Sequence, residues 1–135
     1  MTHLLDTDIC IGVLRQRPGM AEKLSQLAPA DVAVSMITVY ELFCGVEKAK
    51  DPAREREKVE LFISFIAELP LTRTDAQTAA RIRAELERQG TPIGPYDLLI
   101  AGQALANDLT LVTGNTPESR REAGLKTENR TPENF

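Results

Sequence analysis

His3-Leu4-Leu5-Asp6-Thr7-Asp8-Ile9-Cys10-Ile11 opens the chain with an apolar run, an acid, and a direct turn into helix-forming sequence. Leu4-Leu5 reads as a short buried strand, and Asp8 to Leu14 predicts a helix immediately after it. The same alternation continues downstream. Pro18-Gly19 breaks the chain, and a second short helix fits Met20 to Leu27. Val32-Ala33-Val34, between Pro29 and Ser35, predicts the next strand. Val39, Leu42, Phe43 and Val46 then recur at helical spacing. Asp51-Pro52 suit an N-cap and first turn for a helix over Ala53 to Ala67. Glu68-Leu69-Pro70-Leu71 reads as a short extended piece. Thr74 to Gln89 predicts a helix with Thr74 as N-cap, Gln77 completing a capping box and Gly90 just past its end. Gly94-Pro95 breaks the chain again before a helix over Tyr96 to Asn107, apolar nearly all round and therefore central. Thr110-Leu111-Val112-Thr113 is a strand, Leu125-Lys126-Thr127 a last edge strand, and 129–135 a polar, loose tail. Short apolar strands alternating with helices predict an α/β fold over one domain, 1–135, with a mainly parallel central sheet and helices on both faces.

The composition narrows the function. Hydrophobic residues make up 42% of the 135 and charged residues 27%, as in ordinary globular proteins. The N-terminus has neither a basic n-region nor an extended apolar core, and Asp6 interrupts the first apolar run. The expectation is a cytoplasmic protein without a membrane span. One histidine, His3, excludes His-rich metal sites and argues against a His-based triad. Cys10 and Cys44 lack zinc-site spacing and read as two buried thiols. Any metal would be a hard cation held by oxygen. The net charge of −4 does not suit direct binding of long duplex DNA. The basic stretch Lys48 to Lys58 alternates with Asp51, Glu55 and Glu57, as a solvated face laced with ion pairs does.

Three acids do not fit as packing. Asp6 ends the first strand, Glu41 sits inside Ile37-Thr38-Val39-Tyr40-Glu41-Leu42-Phe43, and Asp97 is the one charge between Ile93 and Ala106. Acids are rarely buried among apolar groups unless paired, protonated or metal-bound. Asp6 lies at a strand C-terminus, where open parallel sheets bind ligands. At about 100° per residue, Glu41 points away from the face formed by Val39, Leu42, Phe43 and Val46. Asp97 falls in the first turn of its helix, where the dipole favours an anion. Each could serve simply as a cap or a surface residue. Converging on one cleft, they would repel and need a cation to stay ionised together. Mg²⁺ or Mn²⁺ suits such a donor set and phosphodiester chemistry.

At these residues the chain resembles the PIN-domain ribonucleases, and among them the VapC toxins of bacterial toxin–antitoxin pairs. The resemblance is carried by Leu4-Leu5-Asp6-Thr7-Asp8-Ile9-Cys10-Ile11, Thr38-Val39-Tyr40-Glu41-Leu42-Phe43-Cys44-Gly45, Ile82-Arg83-Ala84-Glu85-Leu86-Glu87, Gly90-Thr91-Pro92-Ile93-Gly94-Pro95-Tyr96-Asp97-Leu98-Leu99-Ile100-Ala101 and Leu111-Val112-Thr113-Gly114-Asn115-Thr116. These segments keep the family's order and spacing from about Leu4 to Asn129. The resemblance implies a PIN-like three-layer fold and a metal-dependent endoribonuclease. Asp6, Glu41 and Asp97 would be its metal-binding acids. Asn115 would be an auxiliary where many PIN domains have a fourth acid. Thr7 and Thr113 would be supporting hydroxyls. Asp8 matches a position usually Asn or Ser and is retained as a contributor. Implied partners are a VapB-like antitoxin, a second copy of the chain, and operator DNA through the antitoxin alone. The implied substrate is structured RNA, with the anticodon loop of initiator tRNA favoured. The chain departs from the family at Ser119, near which an aromatic is usual, and at Arg130, where Trp is usual. Those departures bear on C-terminal packing rather than on the acids. Dimerisation is expected through apolar helix faces near Leu61, Phe62 and Phe65. Arg15, Arg17, Arg120 and Arg121 are candidates for holding flanking phosphates, though any one of them reads better as solvated surface. With aromatics at 4%, base stacking is not expected to dominate recognition.

Two other readings compete. Asp6-Thr7-Asp8 after a strand also resembles the haloacid-dehalogenase-like phosphatases, in which the first Asp is a nucleophile and the second a general acid. That chemistry needs a downstream Lys, yet none occurs between Lys58 and Lys126, and it needs a late acidic pair, whereas the only Asp beyond Asp97 is Asp108. The other is a non-catalytic PIN-like scaffold that binds RNA or a partner.

Overall fold

A computed structural model of the protein describes residues 1–114 and 124–128. The chain runs β1 (His3–Leu5), α1 (Thr7–Leu14), α2 (Met20–Leu24), a 3₁₀ turn (Pro29–Asp31), β2 (Val32–Ser35), α3 (Met36–Glu47), α4 (Pro52–Ile63), β3 (Ala67–Leu69), α5 (Arg73–Arg88), α6 (Pro95–Ala106), β4 (Thr110–Val112) and β5 (Thr127–Glu128). The five strands are ordered β3-β2-β1-β4-β5, and every pairing is parallel. The α/β class with a parallel central sheet is as expected.

Strand alternation sorts the core. Leu4, Ala33 and Leu111 lie in register and pack with Ile82, Leu86, Ile100 and Ala104 of α5 and α6. Leu5, Val34 and Val112, one residue on, pack against Ile9, Val39, Leu42, Val59 and Ile63 from α1, α3 and α4. Helices therefore cover both faces, as a parallel sheet requires. Each fully buried Leu or Ile contributes roughly 1.5–3 kcal/mol of transfer free energy. α6 is the most enclosed helix, with Leu98, Ile100, Ala101, Gly102, Gln103 and Ala104 all buried. It lies against α5 so closely that a Cβ on Gly102 would sit 2.6 Å from the Cβ and 2.7 Å from the Cα of Ala79. That approach holds α6, and with it Asp97, at a set height over the sheet.

Several boundaries differ from expectation. α4 ends at Ile63, not Ala67, because Ala67 pairs with Ala33 as the first residue of β3. α2 stops at Leu24, short of Leu27. The last strand is Thr127–Glu128 rather than Leu125–Thr127, paired with Leu111 and Val112. The capping box of α5 is Thr72 with Asp75, not Thr74 with Gln77. The Thr72 hydroxyl accepts from the Asp75 amide at 3.2 Å, and the Asp75 carboxylate accepts from the Thr72 amide at 3.0 Å. Asp51 and Pro52 do cap α4. Gly90 follows the C-cap of α5 at φ +74°, a left-handed conformation that glycine adopts without strain. Exposed ion pairs Arg56–Glu47 and Lys58–Glu55 lace the charged stretch. Among the described residues no helix is long and apolar enough to cross a membrane. The tail 129–135 lies outside the described residues.

Candidate metal centre at the strand C-termini

The chain builds β2 and β3 on one side of β1, then crosses to build β4 and β5 on the other. The switch point therefore falls between the C-terminal ends of β1 and β4, where open α/β sheets leave a crevice. Asp6 leaves β1 there, and its amide donates to the Val112 carbonyl at 2.8 Å. Thr113 follows β4 and donates its hydroxyl to Asp6 Oδ2 at 2.8 Å. The Thr7 amide donates to Asp6 Oδ1 at 2.9 Å, so Asp6 is also the N-cap of α1. α1 accordingly starts at Thr7 rather than Asp8. Capping and site membership are thus compatible, because a carboxylate oxygen can accept more than one bond.

Glu41 reaches the same place from α3. Ser35 caps this helix, its hydroxyl accepting from the Ile37 amide at 3.1 Å. Val39, Leu42 and Val46 are buried as expected, and Thr38 is buried too. Glu41 is half-buried. Thr7 donates its hydroxyl to Glu41 Oε1 at 2.8 Å, and the Thr7 and Thr38 hydroxyls lie 3.0 Å apart. Thr38 was missed by sequence reasoning, although it stands one helical turn before Glu41 and is a polar residue on an apolar face. Asp97 sits in the first turn of α6, whose N-cap Gly94 offers no side-chain bond.

These acids share one field. Burial pushes the Glu41 carboxyl above the ordinary carboxylate range, and the charges of Asp97 and Asp6 push it further, while the Thr7 hydrogen bond works against them. Buried Cys10, beside them, has its thiol pushed up by burial first and then by Asp6, Asp8 and Glu41. It is an inert neighbour rather than a nucleophile. Cys44 is half-buried rather than buried. Asp8 is exposed, and its carboxylate accepts from the Gly114 amide at 3.0 Å, tying α1 to the turn after β4. Asn115, with Ser119, Arg120, Arg121 and Arg130, lies outside the described residues.

The donor chemistry is all oxygen. His3 is turned away, with Nε2 3.0 Å from Glu128 Oε2. Lys126, the downstream lysine a phosphatase would want, pairs with Asp108 at 2.8 Å. Among the described residues no three acids, imidazoles or thiols converge tightly enough to enclose an ion by themselves. Such a set fits a hydrated hard cation, held by one or two carboxylates with water at its other positions.

The PIN domain model matches residues 3–120. The tRNA(fMet)-specific endonuclease VapC of Shigella flexneri is 40% identical over 128 residues, 95% of this chain and 97% of that protein. Crystal structures of DNA-bound VapBC from Salmonella typhimurium (TM-score 0.90, 36% identity, 97% of this chain and 99% of that one) and of VapBC2 from Rickettsia felis bound to a promoter fragment (TM-score 0.87, 33% identity, 96% and 98%) share its fold. A parallel sheet with acids gathered at its switch point, and likeness over nearly the whole length of these proteins, show that the chain belongs to the PIN-domain family, among the VapC ribonucleases.

Proposed function

We propose that the protein is a divalent-metal-dependent endoribonuclease toxin that cuts initiator tRNA in its anticodon loop and is restrained by a VapB-like antitoxin. The observation that carries this reading is the 40% identity, over 95% of the chain, to a tRNA(fMet)-specific endonuclease. The acids supply matching chemistry. Asp6, Glu41 and Asp97 would hold Mg²⁺ or Mn²⁺, with Asn115 as an auxiliary. A bound cation would orient and acidify the attacking water and offset phosphate charge. The chain's own residues set the conditions for this. Thr7 and Thr113 donate to Glu41 and Asp6, fixing each carboxylate's rotamer before substrate arrives. The Thr7 bond also favours the ionised form of Glu41 against the neighbouring charges. The water oxygen ends on phosphorus, one P–O bond of the backbone breaks, and the leaving oxygen takes up a proton. An unpaired loop can splay its phosphates into such a cleft as a duplex cannot. The antitoxin partner follows from the likeness to VapBC complexes, and DNA would be reached through that partner alone. Homodimerisation belongs to the same proposal. Exposed Leu61 and Phe65 border an apolar groove of about 580 Å³ between α1, α2 and α4.

The test is cleavage of total and transfer RNA by purified, antitoxin-free protein with Mg²⁺, Mn²⁺ or EDTA, beside Asp97→Asn. Discrete products that need the metal and vanish in Asp97→Asn are expected, with ends mapping to the anticodon loop. RNA binding without cleavage in every arm would leave the scaffold reading instead.

A further inference from the structure

Beside the acids stands an aromatic pair that the metal chemistry does not use. Tyr40 precedes Glu41 on α3, and Tyr96 precedes Asp97 on α6. Their rings meet edge to face, centroids 5.6 Å apart and planes at 67°. Tyr96 donates to the Tyr40 hydroxyl at 3.4 Å. The two residues are 52% and 44% exposed, so the pair is open to solvent although aromatic. Met36, one helical turn before Tyr40, is also exposed at 39%. An edge-to-face contact covers only one face of one ring, which leaves ring face free.

We propose that Tyr40 and Tyr96 form a stacking platform for one unpaired RNA base flanking the scissile phosphate. This rests on the nuclease reading above. Two observations favour an RNA base as the occupant. The rings join α3 to α6 beside Glu41 and Asp97, whose charges also feel each other, so the pair stands at the mouth shared by the two helices that carry these acids. The chain carries a net charge of −4 and its cleft gathers acids, so backbone phosphates gain little there without a cation. A neutral ring face adds affinity independently of charge, and every base offers a π-face to it. A platform for one base is compatible with stacking that does not dominate recognition.

The chain has two tyrosines and no tryptophan, so its ultraviolet emission reports this pair alone. In an Asp97→Asn background with Mg²⁺, a short unstructured oligoribonucleotide should quench that emission. A strand of the same length lacking bases should not. In the otherwise native chain, Tyr40→Ala and Tyr96→Ala should each raise KM about tenfold, by the usual cost of losing a stacked base, with kcat nearly unchanged. Tyr40→Phe and Tyr96→Phe should restore KM, because the ring rather than the hydroxyl makes the contact. Equal quenching by the baseless strand, or unchanged KM in both alanine variants, would overturn the platform. Unchanged KM with altered sedimentation would assign the rings to an interface between copies instead. Absence of cleavage by the native chain would sink the nuclease reading itself, whatever the emission shows.

Discussion

Asp6 and Asp75 are both nearly wholly buried carboxylates, 5% and 2% exposed, yet they keep different company. Asp75 accepts from neutral donors on three sides: the Thr72 amide, Gln103 Nε2 at 3.2 Å and Asn107 Nδ2 at 3.0 Å. Gln103 also donates to the carbonyls of Leu69 and Pro70, so this network ties α5, α6 and the end of β3 together. Asp6 accepts from Thr7 and Thr113 but shares its surroundings with Glu41, whose carboxyl registers both Asp6 and Asp97. Burial of an acid alone therefore does not single out a candidate site. Burial among other acids does, because like charges brought together cost free energy that folding alone does not return.

That contrast can be broken by exchanging stability for activity. Asp97→Asn should lower kcat/KM by more than the roughly 100-fold typical of losing a group that only supports a metal ligand, with little change in melting temperature. Asp75→Ala should do the reverse. Three donors lose their acceptor, among them the Thr72 amide that completes the capping box of α5, so urea unfolding should show a loss of roughly 2–4 kcal/mol, with activity per folded molecule preserved. An Asp75 variant that folds normally but cannot cleave would erase the distinction.

Thr7→Val sharpens it further. Removing the hydroxyl leaves Glu41 with burial and two acidic neighbours but no opposing hydrogen bond, so its pKa rises further. Activity should fall about 10- to 100-fold, and the acid limb of the pH–rate profile should move to higher pH. The smallest effect is on stability. The folded pKa of Glu41 lies above its ordinary 4.5. Native protein therefore holds this proton more tightly than unfolded chain does. Stability falls as pH climbs from 4.5 through the folded value, and the deficit then stays constant. Glu41→Gln should raise the metal-free melting temperature by at most a few degrees at neutral pH and by nothing below pH 4.5. Added Mg²⁺ should narrow the difference by stabilising the native acid.

The acids were legible because each violates the local pattern: a charge at a strand end, a charge within an apolar helix, a charge opening a buried one. Asp75 was not legible. Thr72-x-x-Asp75 and Thr74-x-x-Gln77 are both acceptable caps by spacing, and the contacts to Gln103 and Asn107 on α6 select the first. Likewise, Ala67 continues a helical pattern in sequence and leaves it only because β2 offers it a parallel partner.

The sequence by itself determined the alternation of strands and helices and which acids were misfits. Periodicity and the cost of burying charge act over a few residues and can be read there. Only the tertiary structure decided which of these groups meet. The crossover that sets β4 beside β1 brings the Thr113 hydroxyl to Asp6 across 107 residues. The packing of α3 near α6 sets Tyr40 against Tyr96 across 56. Strand order and helix placement arise from how the whole core closes, and no local pattern carries that information.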